Sequence, residues 1–121
     1  MPAPAPTPAP AGTDAINAAV TSIQELYGAL SAKDYGRASS LFGPMAADQF
    51  DPTFFNQFER VTVADLRQTS SAGSMLNFEG VVTFVYRNGD VQTETRSFTV
   101  DTRNNPALIT SSEFGRVIQP R

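Results

Sequence analysis

The spacing of hydrophobic residues changes near Arg60, and this change constrains the fold of the 121-residue chain more than any other feature. Before Arg60 the apolar residues recur every three or four positions, which is typical of helices with one buried face. After Arg60 they recur at every second position, which is typical of half-buried strands. The sequence therefore predicts an α+β fold in which N-terminal helices pack on a curved four-stranded antiparallel sheet.

Three helices are predicted before the change in spacing. Asp34 can cap the second helix, which ends at Gly43-Pro44. Asp51-Pro52 places a capping side chain before a proline at the first helical position, which predicts a third, short helix. A short turn is expected over residues 45–50. The first helix has the clearest apolar stripe, formed by Ile16, Val20, Ile23, Tyr27 and Leu30.

Four strands are predicted over residues 60–69, 76–87, 90–101 and 108–114, the last continuing towards Ile118. The dipeptide Asn88-Gly89 between the second and third strands indicates a two-residue hairpin turn, because a type I′ turn needs positive φ at both central residues. Such a turn would place Phe84 opposite Thr93 and Val82 opposite Thr95.

This register would make the inner face of the third strand a row of hydroxyls. A cleft between sheet and helices would then be lined by aromatic rings on one side and hydroxyls on the other. The alternative is a bulge that turns Phe98 and Val100 inward. If Phe98 and Val100 lie outside with Val81 and Val85, the outer face is apolar enough to pair two subunits. The hydroxyl row consists of Thr93, Thr95, Ser97 and Thr99.

Residues 1–12 alternate proline with alanine and contain five of the nine prolines in the chain. Each proline fixes φ and lacks an N–H donor, so the segment favours an extended conformation outside any helix or sheet. We predict a disordered Pro/Ala-rich linker over 1–12 and one α+β domain over 13–121. Such a linker would connect the domain to an upstream domain of the same protein.

The composition excludes several chemistries. The chain has no cysteine and no histidine, which excludes disulfides, thiolate ligands, serine–histidine catalysis and histidine-bound zinc. Its nine cationic residues are scattered and the net charge is −3, which argues against a nucleic-acid partner. No apolar run approaches the ~20 residues of a membrane span. We therefore predict no cofactor, no metal and no membrane span, and a soluble domain of either a cytoplasmic or an extracytoplasmic region.

Residues 26–42, LYGALSAKDYGRASSLF, resemble the opening of domains in the NTF2-like (cone-shaped, cystatin-like) superfamily. The resemblance implies a sheet curled around the first helix to form a cone, from Asp14 to about Ile118. The superfamily contains ketosteroid isomerases and dehydratases, and also non-catalytic domains that bind ligands, dimerise or serve as accessory modules. The residues that match the family pattern are Asp34, Tyr35, Ala38, Leu41 and Phe42.

The family's catalytic residues do not transfer to this sequence. The resemblance implies a tyrosine donor where this chain has Leu26, and an aspartate base where it has Phe50. Tyr27 and Asp51 each lie one residue away, a displacement that rotates a helical side chain by about 100°. Dehydratase sites of the superfamily use histidine, which is missing. We predict no catalytic residues, which argues against an enzyme without excluding one.

Two functional hypotheses remain. The first is a non-catalytic accessory or interaction domain of a larger protein, by analogy a bacterial signalling protein, that dimerises through its sheet. The second is a small-molecule pocket or an enzyme that uses the cone interior for a small hydrophobic ligand. A filled interior would favour the first hypothesis, and an open cavity with polar groups would favour the second. The candidate pocket-lining residues are Tyr27, Tyr35, Phe54, Phe58, Phe84, Tyr86, Thr93 and Thr95.

Overall fold

The computed structural model describes residues 13–121. The linker expected at 1–12 lies outside the described residues. The described chain consists of four helices followed by four strands, so the α+β class predicted from the hydrophobic spacing is confirmed. None of the helices within residues 13–121 is long and apolar enough to cross a lipid bilayer.

The helices begin where capping residues allow. Asp34 caps the second helix by accepting a hydrogen bond from the backbone N–H of Arg37 at 3.2 Å. A helix replaces the turn that we expected over 45–50, because Pro44 occupies its first position and has no N–H to satisfy. The four helices are α1 (Thr13–Ser31), α2 (Tyr35–Ser40), α3 (Pro44–Gln49) and α4 (Pro52–Phe55).

The strands form one antiparallel sheet in the order of the sequence. They are β1 (Phe58–Ala72), β2 (Met75–Tyr86), β3 (Val91–Asp101) and β4 (Leu108–Gln119). β1 is bulged around Asp65, whose φ of 55° is unusual for a residue other than glycine. Bulges of this kind bend and twist a strand, which lets the sheet curl around α1.

The hairpin between β2 and β3 differs from the predicted two-residue turn. The N–H of Gly89 donates to the carbonyl of Tyr86 at 3.0 Å, and the first pair of facing residues beyond the turn is Val85 and Val91. Gly89 has φ of 93°, whereas Asn88 stays at negative φ. This geometry is a type I turn followed by a left-handed glycine, a three-residue loop rather than a type I′ turn.

The extra residue in the turn shifts the register of β3 by one, so our predicted register is wrong. Val82 faces Glu94, and Phe84 faces Gln92. Because side chains alternate along a strand, a shift of one moves every side chain of β3 to the other face. Phe98 and Val100 are buried inside, as the alternative predicted. The extra residue lies in the turn, however, and not in a bulge of β3.

The pocket residues Thr93 and Thr95 predicted from that register are therefore misplaced. Thr93 faces Thr83 and Thr95 faces Val81, in rows that alternate with the buried Val82 and Phe84. Both hydroxyls lie on the outer face of the sheet, away from the helices.

The hydrophobic core lies between α1 and the inner face of the sheet. Ile23 and Leu30 of α1 are buried against this face, which presents Phe78, Val82 and Phe98. Their complete burial confirms that the predicted stripe of α1 faces the sheet. Each such side chain contributes roughly 1.5–3 kcal/mol relative to an exposed position.

Backbone hydrogen bonds fasten the end of α2 to the last strand. The N–H of Ile109 donates to the carbonyl of Leu41, and the N–H of Gly43 donates to the carbonyl of Ile109, each at 2.8 Å. These two hydrogen bonds place the start of α3 beside β4, where the two elements form one side of a cavity.

Candidate functional site

A cavity of about 720 Å³ lies at the end of the sheet where α3 and α4 approach β4. It is partly open to solvent. Its size falls within the range of roughly 300–1,000 Å³ that is usual for small-molecule sites. The interior of the cone is therefore open at this end, which is the condition that we set for a ligand pocket.

One wall of the cavity is aromatic. The ring of Phe50 lies 5.2 Å from that of Phe42 and 5.8 Å from that of Phe55, between ring centroids. Phe54 meets Phe55 edge-to-face at 5.1 Å and remains 49% exposed, so it forms the rim. These rings converge because α3 and α4 are short helices joined at Phe50 and Asp51. The four residues of α4 cannot bury the adjacent Phe54 and Phe55 on one side.

The opposite end of the cavity carries a buried ion pair. The Nη1 of Arg96 donates to Oε2 of Glu94 at 2.9 Å, and its Nε donates to the hydroxyl of Ser112 at 2.7 Å. Glu94 is only 5% exposed, although it belongs to the cavity lining. Two residues apart on β3, Glu94 and Arg96 share the inner face, and Ser112 approaches from β4.

This ion pair keeps unused hydrogen-bonding capacity. Among the hydrogen bonds within residues 13–121, none reaches Oε1 of Glu94 or Nη2 of Arg96. No side-chain nitrogen or oxygen that is fully buried in the described chain lacks a partner. Oε1 of Glu94 is therefore an acceptor with some solvent exposure, on a residue that lines the cavity.

Tyr27 adds a neutral hydroxyl to the lining. Burial raises the pKa of Tyr27 well above its ordinary value, because a phenolate would lose its hydration. The nearby Arg96 guanidinium opposes this effect, whereas the Glu94 carboxylate adds to it. The ring also packs edge-to-face on Phe98, with centroids 6.0 Å apart. Tyr27 thus stays protonated over the physiological pH range.

Asp51 adds an exposed carboxylate at the rim. It caps α4 and accepts hydrogen bonds from the hydroxyl and the N–H of Thr53, at 2.6 and 3.0 Å. These bonds lower the pKa of Asp51 below its ordinary value, so the side chain is ionised at neutral pH. Glu113 of β4 also borders the cavity and is exposed.

The structure brings three of the eight predicted lining residues into the cavity, namely Tyr27, Phe54 and Phe84. Phe58 lies behind the wall, with its ring 4.8 Å from that of Phe84. Tyr35 donates its hydroxyl to Oδ1 of Asn56 at 2.7 Å. The ring of Tyr86 is covered by the Arg121 guanidinium at 3.6 Å. Thr93 and Thr95 lie on the outer face.

The polar end of the cavity was missed by the sequence analysis. A signal for it exists in β3, where Glu94, Arg96, Phe98 and Val100 occupy alternate positions. Had Phe98 and Val100 been assigned to the interior, the same alternation would have placed Glu94 and Arg96 inside as well. Ser112 carries no comparable signal, because its neighbours Ser111 and Glu113 are also polar.

Within residues 13–121 there is no group of three or more acidic side chains that could hold a metal ion. With one tyrosine, one buried carboxylate and one guanidinium, the site is equipped to bind a polar group by hydrogen bonds and charge. An apolar part of the same ligand would contact the aromatic wall.

No protein-family model matches the sequence, and no curated protein matches it. The solved structures that are similar in fold include three described here. A calcium/calmodulin dependent protein kinase II association domain from Xanthomonas campestris, so described, is 10% identical, with a TM-score of 0.62 over 84% of this chain and 87% of that chain. The Δ5-3-ketosteroid isomerase from a Mycobacterium species is 18% identical, with a TM-score of 0.54 over 81% and 92% of the two chains.

The third similar structure is a SEC-C motif containing protein from Rhodopseudomonas palustris. It is 18% identical, with a TM-score of 0.58 over 76% of this chain and 74% of that chain. The association domain and the isomerase both have the NTF2-like cone fold. The present chain therefore has the NTF2-like cone fold as well. Since these neighbours carry different activities, the fold alone does not assign one.

Proposed function

We propose that the domain binds a small amphipathic molecule in the cavity between the aromatic wall and the Glu94–Arg96 pair. The observation that carries this proposal is the open volume of about 720 Å³, lined by aromatic rings and by the Glu94–Arg96 pair. A partly apolar cavity with a few convergent polar groups is the usual form of a small-molecule site. The proposal favours binding over catalysis, because the cavity lacks histidine and cysteine and its buried carboxylate is held in an ion pair.

The test fills the cavity from the side of α3. Ala46 lines the cavity and Ala47, its half-buried neighbour on the same helix, does not. We expect Ala46→Phe to weaken binding of the neutral probe indole by about tenfold or more, equivalent to ~1.4 kcal/mol. Ala47→Phe adds the same side chain outside the cavity and should leave the affinity within about twofold. Titrations followed by two-dimensional NMR would measure both affinities.

Indole shifts should map to the cavity residues Tyr27, Phe84 and Ser112 in the unmodified protein. Equal weakening by both phenylalanine variants, or shifts confined to the outer face, would contradict the pocket proposal. Circular dichroism of each variant checks that the fold is retained.

A second candidate function is self-association through the outer face of the sheet. Phe98 and Val100 are buried inside and add nothing to this face, so the candidate rests on its uncharged centre. The centre of this face has two rows without a charged residue: Ala64, Val81 and Thr95 lie side by side, and Thr62, Thr83 and Thr93 form the next row. The described helices pack on the inner face, so the outer face is open to solvent. Four strands of 11 to 15 residues give a face of roughly 800 Å², similar to the ~800 Å² per partner of a standard interface.

The association domain among the similar structures makes a second copy of this chain the partner that we propose. Light scattering should then give a mass twice the 13.0 kDa of the chain. Val81→Arg would place a charge at the centre of the face and should yield a monomer, because an unpaired buried charge disfavours the interface. Ser71→Arg, at the exposed end of β1, is the matched control and should remain dimeric. A monomeric unmodified protein at high concentration would contradict this candidate.

A further inference from the structure

The charged residues of the cavity lining are mostly acidic. Three carboxylates, Asp51, Glu94 and Glu113, border it, against one guanidinium, that of Arg96. Because the guanidinium is bonded to Glu94 at 2.9 Å, its charge is largely offset within the pair. The two remaining carboxylates, those of Asp51 and Glu113, make the mouth of the cavity acidic.

The aromatic wall also favours a positively charged ligand. The faces of aromatic rings carry partial negative charge, and they attract an ammonium group that lies within about 6 Å of the ring centroid. Phe42, Phe50 and Phe55 lie side by side around the cavity, and Tyr27 and Phe84 extend the lining from α1 and β2. The faces of such rings attract a cation or pack against an uncharged apolar group.

The accessible oxygen of Glu94 supplies the directional contact. Oε1 receives no hydrogen bond from the described chain, while Oε2 is held by Arg96. An ammonium N–H would donate to Oε1 in a charge-assisted hydrogen bond. A carboxylate in the same place would face Glu94 at short range, with Nη2 of Arg96 and the hydroxyl of Tyr27 as donors on the other side.

We propose that the cavity selects a compact organic cation, an aryl-alkyl amine whose ammonium group donates to Oε1 of Glu94 while its ring packs on the aromatic wall. This inference rests on the proposed function and adds the charge of the ligand to it. Three features of the described chain would recognise the amine: Oε1 of Glu94, the faces of the aromatic rings and the acidic mouth of the cavity.

Three probes of nearly equal size test the preference for a cation. They are 3-phenylpropylamine, 3-phenylpropan-1-ol and 3-phenylpropionate, which are cationic, neutral and anionic at pH 7. Calorimetric or NMR titration at low ionic strength should rank the amine first, about tenfold tighter than the propionate, with the alcohol between them. Added salt should narrow the difference, because it screens the acidic mouth.

Two variants locate the origin of the preference. Glu94→Gln should weaken amine binding by about fivefold to tenfold and leave the alcohol within about twofold. Asp51→Asn keeps a capping side chain on α4 and should weaken the amine by about twofold, which provides a test that does not disturb the buried pair. Glu79→Gln, on the outer face beside Arg67, is the control and should change neither affinity.

The outcomes separate the two proposals. If the propionate binds as tightly as the amine, or if neither Glu94→Gln nor Asp51→Asn weakens amine binding, the proposed recognition of a cation is overturned while the pocket stands. If none of the three probes binds and indole also fails to bind, both the preference and the pocket are overturned.

Discussion

At the scale of single residues, the pair of Glu94 and Arg96 decides the chemistry of the cavity and limits how it can change. Removing one member of a buried pair leaves the other charge uncompensated, which is more costly than removing both. We expect Arg96→Met to lower the free energy of unfolding by about 2–4 kcal/mol. This loss is somewhat smaller than that for breaking a fully buried ion pair, because the arginine side chain is 26% exposed. Urea unfolding would measure the change.

A second substitution and an exposed pair provide the controls. The double variant Glu94→Gln with Arg96→Met removes both charges and should recover more than half of the loss. Arg67→Met breaks the Arg67–Glu79 contact of 2.6 Å on the outer face and should cost less than about 1 kcal/mol, because exposed ion pairs contribute little. Equal losses in Arg96→Met and Arg67→Met would contradict the role assigned to burial.

At the scale of elements, replacing glycine by alanine should have opposite effects on stability at two positions with different backbone conformations. Gly89 holds φ of 93° in the β2–β3 turn, so Gly89→Ala should destabilise the protein by about 1 kcal/mol or more. Gly28 lies on the exposed face of α1, and an added methyl group there would meet no atom within 4 Å, so Gly28→Ala should stabilise by about 0.5–1 kcal/mol. Thermal unfolding of the two variants should therefore shift the midpoint in opposite directions.

The same turn explains how far the sequence predicts this structure. The helix α1 and the four strands follow from local spacing of apolar residues, so their positions could be predicted within a few residues. The short helix α3 has no repeating stripe and was expected as a turn. The register of β3 depends on whether Asn88 adopts positive φ, and a difference of one residue there exchanged the two faces. The predicted register therefore placed Thr93 and Thr95 on the wrong face, and by alternation it left Glu94 and Arg96 outside.

At the scale of the whole molecule, the two candidate functions use opposite faces of one sheet, and β3 serves both. Glu94 and Arg96 line the cavity, whereas Thr93 and Thr95 lie on the outer face and form part of the proposed interface. None of the residues that line the cavity belongs to the two rows of the proposed interface. We therefore expect Val81→Arg, which should abolish self-association, to leave the affinity for 3-phenylpropylamine within about twofold.

This expectation has a thermodynamic converse. If binding does not depend on the dimer, linkage requires that saturating amine leaves the dimer dissociation constant unchanged. Sedimentation of the unmodified protein with and without the amine would measure that constant, and calorimetry of Val81→Arg would measure the affinity. A loss of more than about tenfold in the monomeric variant, together with a ligand-dependent dimer, would mean that packing on the outer face reshapes β3 and that the cavity is completed only in the assembly.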